Sequence, residues 1–134
     1  WLWEEYLATL LPSFEHPQNR KSSGMIYLAK NNSLQRYPDF YKEGIVLDAK
    51  YKYKIDRNDE HQIISYMYRL KSKIGGFILP SESETLKKSF SLLGYGNDMQ
   101  IYFLEIPQNA QTFSDFSKQI RKNEDKFIDE LIQA

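Results

Sequence analysis

The chain contains no cysteine, which excludes a disulfide framework and every thiolate metal site and fits a reducing compartment. Histidine is nearly as scarce. His16 and His61 stand far apart, so a structural zinc site has too few ligands. Eighteen basic and eighteen acidic side chains cancel to a net charge of zero. No overall field therefore draws the molecule to a polyanion, and any attraction to nucleic acid must come from local patches. No apolar run reaches the length of a membrane span and no signal peptide is visible, so a cytoplasmic setting away from the membrane is expected. What remains is 134 residues, 41% of them apolar, enough for one compact domain, residues 1–134, with one core. The sequence opens mid-pattern at Trp1 without an initiator Met, and a piece of a longer protein is expected.

Hydrophobic spacing predicts a helix over Trp1 to Leu11, with Trp3, Leu7, Leu10 and Leu11 on one stripe. Pro12 stops it, and residues 13–24 read as a polar, proline-containing loop. Three strands are expected at Met25–Lys30, Arg36–Lys42 and Gly44–Tyr53, turned at Asn31-Asn32 and at Glu43-Gly44. Asp56 caps a helix from Arg57 to about Ser72, with Ile63, Met67, Leu70 and Ile74 as its apolar stripe. Gly75-Gly76 ends that helix, and Phe77–Pro80 is a short buried strand. Strands at Leu86–Leu93 and Met99–Ile106 follow, then a helix from Thr112 or Ser114 to Ile132, with Phe113, Phe116, Ile120, Phe127 and Leu131 as apolar positions. The order is that of an α/β sandwich with a central sheet flanked by helices, not a doubly wound parallel sheet.

The most informative stretch is Y-P-D-F-Y-K-E-G-I-V-L-D-A-K-Y-K-Y-K, residues 37–54. It sets Asp39 nine residues ahead of the triplet Asp48-Ala49-Lys50. Strand alternation points Asp48 and Lys50 to one face, roughly 6–7 Å apart at the backbone, with Val46 and Lys52 beside them. Leu47, Ala49 and Tyr51 point the other way, as a core face would. Asp39, on the preceding hairpin arm, approaches the same face if the hairpin pairs normally. Two carboxylates able to share a hard cation, with a lysine alongside, suit metal-assisted phosphodiester hydrolysis. Mg²⁺ uses one or two carboxylates and keeps several waters, one of which is made acidic enough to attack phosphorus. Lys50 would orient that water or offset phosphoryl charge. Taken alone, D-x-K is common on solvated strand faces; the upstream Pro-Asp is what raises it to a candidate site.

Other side chains join this set with less support. Glu4 borders the apolar stripe of the first helix and needs a partner such as a metal or Lys50, whereas Glu5 faces water; Glu4 also suits the macrodipole as an ordinary helix-start acid. Gln62, Tyr66, Arg69 and Lys73 form a polar face on the second helix. Gln62 is placed to hydrogen-bond a catalytic group or a DNA phosphate, while Arg69 and Lys73 read as a solvated face. Lys50, Lys52, Lys54 and Arg57 form a basic patch. Tyr51 and Tyr53 read as packing residues before they read as base-stacking ones.

Pro38-Asp39, Asp48-Ala49-Lys50 and a following helix with Gln62 together resemble the PD-(D/E)xK nuclease superfamily. More narrowly, L-W-E-E-Y-L at 2–7, Y-P-D, I-V-L-D-A-K-Y-K, H-Q-I-I-S-Y-M-Y and G-F-I-L-P are similar to the nuclease domain of McrC-type subunits of McrBC and LlaJI-like restriction systems, over roughly residues 1–80. The resemblance implies a restriction-endonuclease-like sandwich with a mixed sheet and a Mg²⁺-dependent DNA endonuclease, with Mn²⁺ as a substitute. It implies Asp39 and Asp48 as metal ligands, Lys50 as the catalytic lysine, and Glu4 and Gln62 as helical site residues. A separate GTP-hydrolysing AAA+ motor is implied as partner, and the chain's lack of a G-x-x-x-x-G-K-[ST] loop agrees with a motor lying elsewhere. The competing readings are a non-catalytic nuclease-like domain that binds DNA or a partner, and a DNA repair nuclease of another branch.

Overall fold

The computed structural model describes residues 2–16, 25–52, 54–94 and 96–132. Helix α1 spans Leu2–Leu10 and buries Trp3 and Leu7, one turn apart on one face. Pro12 lacks the N–H that would continue it. The chain then runs beside the sheet edge, where Glu15 and Tyr41 exchange backbone hydrogen bonds of 2.7 and 3.0 Å. Trp1, most of the loop expected at 13–24, and Tyr53 lie outside the described residues.

β1 (Ile26–Ala29) and β2 (Ser33–Arg36) form a separate two-stranded sheet. The Asn31-Asn32 turn is as expected, both residues taking the left-handed backbone that asparagine tolerates. The strand expected over Arg36–Lys42 is two strands. Pro38 has no N–H to give a ladder, so pairing stops at Arg36 and resumes in β3, Phe40–Lys42. Gly44, at φ 89°, turns the chain into β4, Ile45–Ala49, and Phe40 faces Leu47 across the hairpin. β4 is shorter than the expected Gly44–Tyr53.

Helix α2, Arg57–Leu70, crosses over to β5, Ile74–Ser81, which lies parallel to β4. Asp56 caps α2 in a reciprocal capping box with Asp59, and Lys71 closes it in the left-handed conformation. The helix therefore ends ahead of Gly75-Gly76, and Ile74 belongs to the strand. Both glycines sit inside β5 for want of room. A Cβ on Gly76 would stand 2.5 Å from the Gln100 carbonyl oxygen, and one on Gly75 2.3 Å from the Met67 sulfur.

β6 (Lys88–Ser91) and β7 (Asp98–Glu105) complete a five-stranded sheet of order β3-β4-β5-β7-β6. The inner pairs β4/β5 and β5/β7 are parallel, and the outer pairs are antiparallel. Helix α3, Phe113–Ile132, follows, its start tied by the Thr112 hydroxyl accepting the Asp115 N–H. Phe113 was expected on its apolar face but is 84% exposed, and the helix meets the core further along, through Phe127 and Leu131.

Alternation along the strands builds two cores. Leu47, Ile78, Tyr102 and Leu104 pack with α1 and α3 through Trp3, Leu7, Phe127 and Leu131. Val46, Phe77, Leu79 and Met99 pack with α2 through Ile63, Tyr66 and Met67. The molecule is an α/β sandwich with a central mixed sheet, compatible with the restriction-endonuclease-like arrangement. Clefts in such sheets form beyond the carboxyl ends of parallel strands, and β4 ends at Asp48-Ala49.

Candidate active site

The β3–β4 register carries Asp39 to the level of Asp48, since the next residue, Phe40, pairs with Leu47. The two carboxyl groups converge. One Asp39 oxygen accepts the Ala49 N–H at 2.8 Å, which ties the Pro38-Asp39 corner to the end of β4. His16 holds the corner from behind, its Nδ1 lying 2.7 Å from the Asp39 carbonyl oxygen and its ring stacked on Phe40. Glu4, half-buried on α1, meets Asp39 from the other helix layer. Glu5 is exposed. Glu4 thus finds its partner in Asp39 and not in Lys50.

Crowding dominates the electrostatics here. Burial, then the Glu4 carboxylate, then the charge of Asp48 push the Asp39 carboxyl up to about 11, so it keeps a proton at neutral pH. Asp48 is buried, and among the described residues its Oδ2 accepts no conventional hydrogen bond but lies in an ion pair with the Lys50 ammonium. A buried carboxylate oxygen with unused acceptor capacity is costly unless a cation or donor completes it.

Lys50 follows as expected, its ammonium 2.8 Å from Asp48 Oδ2 and 3.3 Å from Asp59. Burial alone would pull its pKa down, but the Asp48 carboxylate and then Asp59 outweigh it, and the net shift is upward. Lys50 is therefore a fixed cation. Its backbone N–H donates to the Ile78 carbonyl at 3.1 Å, so the lysine is held to β5 although β4 has ended.

Two residues of this cluster escaped the sequence reading. Asp59, buried at the third position of α2, pairs with Lys50 and, at 2.5 Å, with Lys52. Burial pushes its pKa up, yet Lys52, the Asp56 N–H and Lys50 together bring it below the ordinary value. The Asp56-x-x-Asp59 spacing, a capping-box signature with Asp in the Glu place, was the available signal. Tyr66 was read as part of a polar helix face but is 3% exposed. Burial, followed by the charges of Asp48 and Asp39, raises its pKa. Gln62 is exposed and, among the described residues, reaches the cluster through Tyr66, donating to its hydroxyl at 3.1 Å.

The remaining expectations sort by geometry. Lys73 lies beyond α2, so the polar face stops at Arg69, whose Nε donates to the Tyr27 carbonyl. Lys50 and Lys52 are engaged by Asp48, Asp56 and Asp59, which leaves the exposed Lys54 and Arg57 as the open part of the basic patch. Tyr51 is 78% exposed, not a core residue, because β4 has ended and the sheet no longer covers it.

The donor set suits a hard cation with few protein ligands. Among the described residues no group of three or more His, Cys, Asp or Glu side chains is arranged to hold a metal ion. Mg²⁺ asks for one or two carboxylates with water as the rest, and Asp39 beside Asp48 offers that. Also among the described residues, no helix is long and apolar enough to cross a membrane.

A mixed-sheet α/β sandwich with this carboxylate-lysine corner at the end of a parallel strand falls within the restriction-endonuclease-like class by its fold. The chain belongs to the family described as McrBC 5-methylcytosine restriction system component, whose model matches residues 1–80. That segment runs from α1 into β5 and holds Glu4, Asp39, Asp48, Lys50, Asp59, Gln62 and Tyr66. No curated protein matches the chain.

Proposed function

We propose that this domain is a metal-dependent DNA endonuclease of the PD-(D/E)xK type, the cleaving component of a McrBC-like restriction system. The observation that carries the reading is the convergence of Asp39 and Asp48 beside the Lys50 ammonium. Asp39 and Asp48 would hold Mg²⁺, or Mn²⁺ in its place; when bound, the ion supplies an acidified water and neutralises charge on the phosphate. The extra proton on Asp39 leaves as the cation arrives, since a ligating carboxylate must be ionised. Lys50 stays protonated through the neutral range, which suits it to offset developing charge on the phosphoryl oxygens and not to abstract a proton. Asp59 and the Ile78 carbonyl position Lys50 from two sides. Glu4 sits against Asp39 and favours its protonated form, Tyr66 lies in the field of Asp48 and Asp39, and Gln62 braces Tyr66.

The family description supports DNA as substrate and a restriction complex as setting. The partner is a separate AAA+ GTPase motor and the setting cytoplasmic. The test is cleavage of plasmid DNA by the protein with its motor partner in Mg²⁺ or Mn²⁺, beside Asp48→Ala and Lys50→Ala. Metal-dependent cutting lost in both substitutions is expected. Equal cutting by the substituted proteins would refute this site, and binding of DNA without cutting by the assembled complex would favour a non-catalytic domain.

A further inference from the structure

On the α1–α3 side of the same strand end lies an apolar groove of about 620 Å³. Trp3, Tyr6, Tyr51, Phe116 and Ile120 line it, and Glu124 stands at its edge. Its position relative to the carboxylate corner follows from the chain itself. Trp3 precedes Glu4 and Tyr51 follows Lys50, so in each pair the charged residue belongs to the corner and its neighbour to the groove. One carbonyl locks the two together. Ile78 O accepts both the Trp3 indole N–H and the Lys50 backbone N–H, each at 3.1 Å. The groove wall and the Lys50 backbone are therefore tied to the same carbonyl.

The lining suits a flat aromatic ligand. Tyr51 is 78% exposed, with its ring centre 5.9 Å from that of Trp3. Tyr6 donates its hydroxyl to Glu124, and burial, then that carboxylate, raises its pKa, so Tyr6 stays a neutral donor. Glu124 retains acceptor capacity, since a carboxylate offers about four lone-pair sites. A surface with aromatic faces and one acceptor, whose wall shares the Ile78 carbonyl with the Lys50 backbone, matches an unstacked nucleobase carrying an N–H donor.

We infer that this groove is a base subsite: it takes up the nucleobase next to the cut phosphate, stacked on Tyr51 with its N–H edge toward Glu124. This rests on the endonuclease reading above, and the experiment separates the two. The full protein with its motor partner is given two DNA substrates, one intact and one abasic at the nucleotide flanking the mapped cut. Wild type, Tyr51→Ala and Tyr51→Phe are compared by kcat and KM. On intact DNA, Tyr51→Ala should lose about tenfold in kcat/KM, the scale of one base–aromatic stack, while Tyr51→Phe stays within about twofold because the ring face remains. On abasic DNA, wild type and Tyr51→Ala should cut alike.

An equal loss on both substrates would overturn the base subsite in favour of a structural role for Tyr51. No loss on intact DNA would overturn it outright. Loss of assembly with the motor in Tyr51→Ala, seen by gel filtration, would mark the groove as a protein interface and also overturn it. Absence of metal-dependent cutting by wild type would instead sink the endonuclease reading, and the subsite with it.

Discussion

Asp39→Asn should stabilise the metal-free protein while destroying its proposed chemistry. In the fold, burial together with Glu4 and Asp48 holds a proton on Asp39; in the unfolded chain that carboxyl returns to its ordinary value of 3.8. Between those two values the unfolded state binds fewer protons than the folded one, so stability falls as pH rises, by about 1.4 kcal/mol per unit for this one group. The sign is that of a raised pKa: the stability is complete below the unfolded value and is drained on the way up. From 3.8 to neutral pH the drain is limited to about 4 kcal/mol. Asparagine removes the titration but keeps an oxygen for the Ala49 N–H, and its amide can donate to Glu4 or Asp48. Part of the gain is lost in placing a bulkier donor, and an increase of about 1–3 kcal/mol at pH 7 is expected. Urea unfolding in EDTA from pH 5 to 9 reads it out, with wild type losing stability more steeply than Asp39→Asn. Adding Mg²⁺ should stabilise wild type increasingly as pH rises and leave the variant nearly unmoved. Parallel pH profiles in EDTA, or a variant less stable than wild type at pH 8, would refute the crowded-carboxylate account.

Other substitutions probe the supports. Lys50→Met should lower cleavage at least about a hundredfold by removing the fixed cation, with circular dichroism unchanged. Asp59→Ala should cost about 1–2 kcal/mol in urea unfolding through the lost capping box, and should reduce cleavage as Lys50 loses one of its two carboxylates. Gly76→Ala should destabilise by about 1–3 kcal/mol because its Cβ meets backbone. Gly75→Ala should cost less, since the flexible Met67 side chain is what must yield.

How much of this was legible in the sequence depended on how local the cause was. Asp39, Asp48 and Lys50 could be brought together on paper because a hairpin and a period of two decide which side chains meet. The helix cap at Asp56 was equally local. Gly75-Gly76 misled, because glycine ends helices and also permits close approach, and only the arrival of Met67 and the Gln100 carbonyl distinguishes the two. The strand break at Pro38 was readable from its missing N–H but was outweighed by the alternating residues around it. Asp59 and Tyr66 needed α2 docked over the end of β4, a contact between segments that no spacing within either reveals. Tyr51 failed for the opposite reason: alternation assigned it to a buried face, but the strand stops two residues earlier.

The central claim is that Asp39 and Asp48 share one cation. A crystal of the protein grown or soaked in Mn²⁺, with data collected at the manganese absorption edge, tests it without recourse to activity. The account predicts a single strong anomalous peak within about 2.0–2.3 Å of a carboxylate oxygen from each residue, absent from Asp48→Ala. A peak elsewhere, or none at millimolar Mn²⁺ with both carboxylates ordered, would contradict it.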